Sequence, residues 1–313
     1  MIKISAIICT FKRPDYLRHA LRSLCEQSLP RDEYEIIVVD NAVEAEAEQV
    51  VREFDDGRVN LRYVTEKEVG LSRARNTGLK AAAAPYVAYM DDDARADEHW
   101  LEALVAAFEQ TSPAPAAVGG RVWLDWQGEK PTWVPERHLS LYTYVDHGAG
   151  ARSLENGEYL VGANLAFEKQ ALLSVGGFDA NLGRQGAVLL SGEEAAILVQ
   201  LRDGQRSVYY EPEALVWHSV DQSRKRPAWL VRRLFWDGAS QPLIDRPVSE
   251  KLSRDSSFSA ALKDLRQCGG WGWAMLTAAL RFKRDKAWES LLGFCQRAGR
   301  LRTHLLLAAR KNG

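Results

Sequence analysis

The chain has 313 residues, 46% of them hydrophobic, which is ample for a buried core in one large domain or two. Its four cysteines, Cys9, Cys25, Cys268 and Cys295, lack paired metal spacing, which excludes a cysteine-zinc scaffold and predicts a reducing compartment without structural disulfides. The net charge of -1 conceals an asymmetry: residues 1–222 hold 22 Lys+Arg and 35 Asp+Glu, whereas residues 223–313 hold 19 and 7.

In chain order, Ile2–Thr10 reads as a buried strand ending at polar residues. Pro14 to Gln27 reads as a helix, with Tyr16, Leu17, Ala20, Leu21 and Leu24 at helical spacing. Glu35–Asp40 is a second strand, Ala42 to Phe54 an acidic helix, and Val59–Val64 a third strand. Leu71 to Ala83 is a helix and Tyr86–Met90 a fourth strand. Strands joined by helices in this rhythm predict an α/β fold with a mostly parallel sheet, whose ligands bind beyond the carboxyl ends of the strands. Thr10, Asp40 and Asp91 all fall at such ends. Residues 111–160 are less regular and rich in Pro, Gly and Trp, a candidate substrate-facing insertion, and order returns from Tyr159 to His218.

The fourth strand stops at Asp91-Asp92-Asp93. Three adjacent carboxylates repel one another at the edge of a core, and a divalent cation bridging phosphates would remove that cost. An acidic helix N-terminus is the simpler alternative for the triplet taken alone.

Several motifs in fixed order give the triplet its context. They are Ile7-Ile8-Cys9-Thr10-Phe11-Lys12-Arg13-Pro14, Ile36-Ile37-Val38-Val39-Asp40-Asn41, and Gly70-Leu71-Ser72-Arg73-Ala74-Arg75-Asn76-Thr77-Gly78. After the triplet follow Gly176-Gly177-Phe178-Asp179, Gly192-Glu193-Glu194, Tyr210-Glu211-Pro212 and Val216-Trp217-His218. Over roughly residues 3–220 the chain resembles the inverting, nucleotide-sugar-dependent glycosyltransferases of family 2.

The resemblance implies a GT-A fold: a catalytic domain over 1–222, with a nucleotide-binding half at about 1–110 and an acceptor-side half at about 111–222. Residues 223–313 form a basic helical extension. Asp40 would bond the nucleotide base, and Thr10, Phe11 and Arg13 would line nucleotide and ribose. Arg73 and Arg75 would offer donors to phosphate or to the carboxylates around it. Asn76 would bond a ribose hydroxyl or the Asp side chains. Asp93 would bind Mn²⁺ or Mg²⁺ directly, and Asp91 would contact ribose or reach the metal through water. Asp92 is a further donor-site residue, with Arg75 as its expected partner. His218 is either a third metal ligand, favouring Mn²⁺, or structural.

Glu194 matches the general base and Glu193 the residue before it, although the family's usual pair is Glu-Asp; Glu193 stays a second candidate base. Gly162-Ala163-Asn164 and Gly176-Gly177-Phe178-Asp179 would shape the donor-sugar and acceptor floor. The expected reaction is metal-dependent transfer with inversion from a nucleotide sugar, a UDP-sugar first, to a carbohydrate or lipid-linked acceptor in surface polysaccharide or glycolipid assembly. A sugar nucleotidyltransferase is an alternative, weakened because Thr10-Phe11-Lys12-Arg13 is not a Gly-rich phosphate loop. A non-catalytic nucleotide-sugar-binding partner is the other.

The tail carries an aromatic-basic cluster (Trp229, Leu230, Arg232, Arg233, Phe235, Trp236) and an apolar stripe from Trp288 to Leu305. The stripe packs on the catalytic domain or meets an anionic membrane surface. No nucleic-acid-binding module is recognisable. The apolar N-terminus is too short for a signal peptide, and the longest uncharged stretch, Gln267 to Leu280, has 14 residues, too few to span a bilayer. The expected location is the cytoplasm, at most peripheral at the inner face of the cell membrane.

Overall fold

The computed structural model describes residues 1–43, 45–184, 188–244, 254–281 and 283–309. The chain divides into two compact units, one of 1–181 and 193–221, the other of 182–192 and 222–313.

The first unit opens with strand β1 (Ile4–Thr10), helix α1 (Pro14–Cys25), β2 (Tyr34–Asp40), α2 (Ala45–Phe54), β3 (Asn60–Thr65), α3 (Leu71–Ala81) and β4 (Tyr86–Asp91). It continues through β5 (Ala94–Ala96), α4 (Trp100–Gln110), β6 (Ala117–Asp125), a 3₁₀ turn (Glu136–Tyr142), β7 (Arg152–Ser153), β8 (Leu165–Glu168), α5 (Lys169–Ser174), α6 (Glu193–Asp203) and β9 (Val208–Ser219). The sheet runs β3-β2-β1-β4-β8-β6-β9-β5, with β7 paired to β9. Its first four strands are parallel, β6 and β9 are parallel, and β8, β5 and β7 join antiparallel. The expected α/β architecture is thus present.

β1 and β2 are buried almost throughout because α1 and α2 cover one face and α3 the other, so they read as apolar runs broken near their starts only by Ser5 and Glu35, which bond each other at 2.7 Å. α3 lies so close to β1 that a Cβ on Gly78 would stand 2.5 Å from Ile7 Cγ2. β1 lies between β2 and β4, with Thr10 level with Asp40 and Cys9 level with Asp91. Three polar residues therefore share one sheet edge at the point where the strand order reverses, the usual ligand crevice of such sheets.

Two parts of the unit differ from expectation. The stretch read as irregular contains the nine-residue strand β6, disguised by Gly119-Gly120. Those glycines are required, because a Cβ on Gly120 would overlap the Ala214 carbonyl. The triplet also breaks up: Asp91 ends β4, and after a tight turn β5 runs back along β9.

The second unit holds α7 (Pro227–Ile244), α8 (Arg254–Leu280) and α9 (Arg284–Ala309). α7 and α9 approach closely: a Cβ on Gly238 would overlap the Gln296 backbone, and one on Gly299 the Phe235 carbonyl. The 182–192 segment joins this unit through Ser191, whose N–H donates to Ser240 Oγ at 3.0 Å and whose hydroxyl lies 3.3 Å from Arg233. The stripe predicted over Trp288–Leu305 is largely inward, with Leu292 buried and Leu291, Cys295, Ala298 and Leu301 half-buried. Its inward side chains pack against α7 and α8 within this unit. No described helix is long and apolar enough to cross a membrane.

Candidate active site

The site forms at the carboxyl edge of β1, β2 and β4. Asp40, at the end of β2, is fully buried; the Ala42 N–H donates to its Oδ1 and the Tyr63 hydroxyl to its Oδ2, each at 2.8 Å. Tyr63 is a contributor that residue spacing does not reveal, since only the β2–β3 register brings it to Asp40. Phe11 is exposed on the loop after β1.

The buried triplet residues are divided between partners. Thr10 Oγ1 donates to Asp92 Oδ2 at 2.8 Å, and Arg13 spans Asp92 (3.3 Å) and Asp93 (2.9 Å). Asp92 was expected to pair with Arg75, but it faces Arg13 because adjacent residues leaving the strand point opposite ways. Arg75, buried on α3, donates to Glu193 Oε1 at 2.7 Å and lies 3.4 Å from Asp91 Oδ1, with its guanidinium 5.3 Å from the Phe178 ring centre. A Cβ on Gly162 would overlap that guanidinium, so this glycine makes room for it.

Three further expectations need correction. Arg73 lies two positions from Arg75 on the same helix, hence on the opposite face; it is exposed and pairs with Glu68 at 2.6 Å. Asn76 does not reach the aspartates: its amide donates to the Phe178 carbonyl at 2.8 Å and accepts from the Phe178 N–H at 2.9 Å. Asn164 points into the core, accepting from Trp100 Nε1 and donating to the Arg121 and Ala214 carbonyls. Asn76 and Asn164 thus hold loops in place.

The β5–β9 pairing sets Ala94 opposite His218 and brings His218 Nε2 to 3.2 Å from Asp93 Oδ1. Asp91, Asp93 and His218 can each offer one ligand atom, all within 4.8 Å of one another. Burial first, then the neighbouring Asp93, pushes the Asp92 carboxyl up to about 7 against the opposing pull of Arg13. The cluster is therefore short of positive charge, and its oxygen and imidazole donors suit a divalent ion. A cavity of about 300 Å³ opens beside it, walled by Asp92, Asp93, Arg95, Trp217 and Tyr16.

The second pair of carboxylates begins α6. Burial and the adjacent Glu194 raise the Glu193 carboxyl to about 7. Burial acts the same way on Glu194, but Arg75, backbone donors including the Gly162 N–H (3.1 Å) and the Glu193 side chain together hold it below its ordinary value. A proton shared by the two thus rests on Glu193, leaving Glu194 ionised.

The sequence profile of glycosyl transferase family 2 matches residues 5–161. The glucosyl-dolichyl phosphate glucuronosyltransferase of Haloferax volcanii is 31% identical over 268 residues, covering 84% of this chain and 83% of that protein. The chain belongs to glycosyl transferase family 2. Two solved structures share the glycosyltransferase's fold. The Pyrobaculum calidifontis mannosyltransferase PcManGT, in complex with GDP-Man and Mn²⁺, has a TM-score of 0.59 at 18% identity, covering 95% of this chain and 85% of its own. S. aureus TarS 1-349, in complex with UDP-GlcNAc, has 0.55 at 14%, covering 93% and 90%.

The raised carboxyls set a pH dependence for the metal-free glycosyltransferase. With Asp92 and Glu193 both at about 7, the folded chain holds protons that the unfolded chain releases near pH 4. That stabilisation is complete below the unfolded pKa and is lost as pH rises to 7. Glu194, shifted downward, acts oppositely but only in the acid range. The melting temperature in chelator should therefore fall between pH 5 and 7.5, and Mn²⁺ should restore it at pH 7.5 more than at pH 5. A chelated protein whose melting temperature rises across that window would contradict this.

Proposed function

We infer that this family 2 glycosyltransferase moves a sugar from a nucleotide diphosphate, a UDP-sugar being the first to test, to an acceptor hydroxyl with inversion at the anomeric carbon. The observation that carries the reading is the convergence of Asp91, Asp93 and His218 at the strand-order reversal, with Arg75 linking Asp91 to the Glu193-Glu194 pair. Asp91, Asp93 and His218 would hold Mn²⁺ or Mg²⁺, the imidazole favouring Mn²⁺. The bound ion supplies positive charge to the departing diphosphate. Glu194 takes the proton from the acceptor hydroxyl as its oxygen attacks the anomeric carbon opposite the diphosphate. Arg13 and Arg75 hold the carboxylates in place, and Asp40 and Thr10 bound the nucleotide side.

Residues 1–222 are assigned the catalysis, with about 1–110 for the nucleotide and about 111–222 for the acceptor. The name of the Haloferax volcanii relative supports a lipid-linked glycosyl phosphate as acceptor, within glycolipid or surface-polysaccharide assembly. Residues 223–313 would attach the protein peripherally to the membrane.

Calorimetric titration with UDP, GDP and dTDP, with and without Mn²⁺, tests the donor site. One nucleotide should bind in a Mn²⁺-dependent way, and Asp93→Ala should weaken it by at least about tenfold. A folded protein that binds none of the three would sink this reading.

A further inference from the structure

We propose that the outward face of α8 is a membrane-docking surface that inserts into bilayers rich in anionic lipid. It rests on the peripheral attachment proposed above and names the surface responsible. The sequence drew attention to α7 and α9, but the exposed apolar side chains gather on α8. Phe258 (55% exposed), Leu262, Leu265 (55%), Trp273 (68%) and Leu276 are all open to solvent. Their offsets from Phe258 are 4, 7, 15 and 18 residues, which on a helix make a single stripe. Gly269 lies on the same line and leaves it flat.

A stripe of this kind could equally cover a second copy of the chain. Charge decides between the two. Lys263 and Arg266 flank the stripe on one side, and Arg281, Lys283, Arg284 and Lys286 are exposed where α8 turns into α9. Among the described residues 257–281 the one acid, Asp264, faces inward. It is buried against His304 Nδ1 at 2.8 Å and Arg297 at 3.3 Å. The outward surface is therefore apolar in the middle and basic at the edge, where Asp285 stands as an exposed acid among four exposed cations. A self-paired face would set these cations against their own copies, whereas an anionic bilayer neutralises them as the stripe inserts. Trp273 in the stripe suits the interfacial layer.

Co-sedimentation of the full chain with vesicles tests this, without substrate. Wild type should sediment with phosphatidylcholine vesicles containing about one-third phosphatidylglycerol, and weakly with phosphatidylcholine alone. Binding should weaken in 0.5 M salt, and tryptophan emission should shift to the blue. Leu265→Ser with Trp273→Ser should lower partitioning at least about tenfold, and Lys263→Glu with Arg266→Glu should remove the preference for anionic lipid. These positions are exposed, and unchanged melting of each variant is the folding control. Absence of sedimentation on anionic vesicles would overturn the proposal. So would a concentration-dependent dimer that the Leu265/Trp273 variant abolishes without any lipid binding. Nucleotide titration of the same preparations keeps the two readings separate: lipid binding without nucleotide binding would count against the donor site alone, and the reverse against this surface alone.

Discussion

Glu194→Gln should lower kcat by about a thousandfold while leaving nucleotide affinity within about twofold, because a positioned general base contributes roughly 10²–10⁴ in rate. The substitution keeps shape and an acceptor oxygen for the Gly162 N–H, and it leaves Arg75 bound to Glu193 and Asp91. What it removes is the capacity to take a proton. The neighbouring Glu193→Gln is the decisive comparison. If Glu193 were the base, its variant would suffer the larger loss. The pH profile separates them independently. With Glu194 held below its ordinary value, kcat should stay flat from pH 8 down into the acid range. With Glu193 as base, its carboxyl at about 7, the rate would already decline below neutrality. A kcat for Glu194→Gln within tenfold of wild type would remove Glu194 from the chemistry.

Arg75→Met should cost about 3–5 kcal/mol of stability at pH 7.5, as breaking a buried ion pair by removing one partner typically does. Arg75 is 3% exposed and stands between Glu193, 4% exposed, and Asp91. Methionine fills much of the volume but leaves the buried Glu193 carboxylate and the half-buried Glu194 and Asp91 without their shared cation. The cost should shrink at pH 5.5, where Glu193 is protonated. Arg75→Lys should recover only part, since an ammonium cannot span both carboxylates as a fork does. Combining Arg75→Met with Glu193→Gln should be less damaging than the sum of the two, which urea unfolding of the four proteins would measure. A loss under about 1 kcal/mol for Arg75→Met would mean that these charges are hydrated rather than buried.

The strands of the first unit were legible because parallel strands covered on both faces are largely apolar, and Ile4–Thr10, Tyr34–Asp40 and Tyr86–Asp91 each begin and end within two residues of the runs read in the sequence. β6 was hidden because Gly119-Gly120, demanded by the Ala214 carbonyl, looks like a loop in one dimension. The inclusion of 182–192 in the second unit was invisible for a related reason: no local pattern reports that Ser191 will meet Ser240, 49 residues away.

By itself the sequence determined which residue types lie at the carboxyl ends of strands, and hence that Thr10, Asp40 and Asp91 would share an edge, because strand periodicity and parallel crossovers are local and handed. It also determined the charge asymmetry of the chain. The tertiary structure alone decided who faces whom. Arg13 rather than Arg75 meets Asp92, Arg75 reaches Glu193 from 118 residues away, and Arg73 turns to solvent. On α8 Asp264 turns inward and the apolar stripe outward. Such pairings depend on register and helix rotation, in which a shift of one residue reverses the direction of a side chain, and that angle is fixed only when the elements pack.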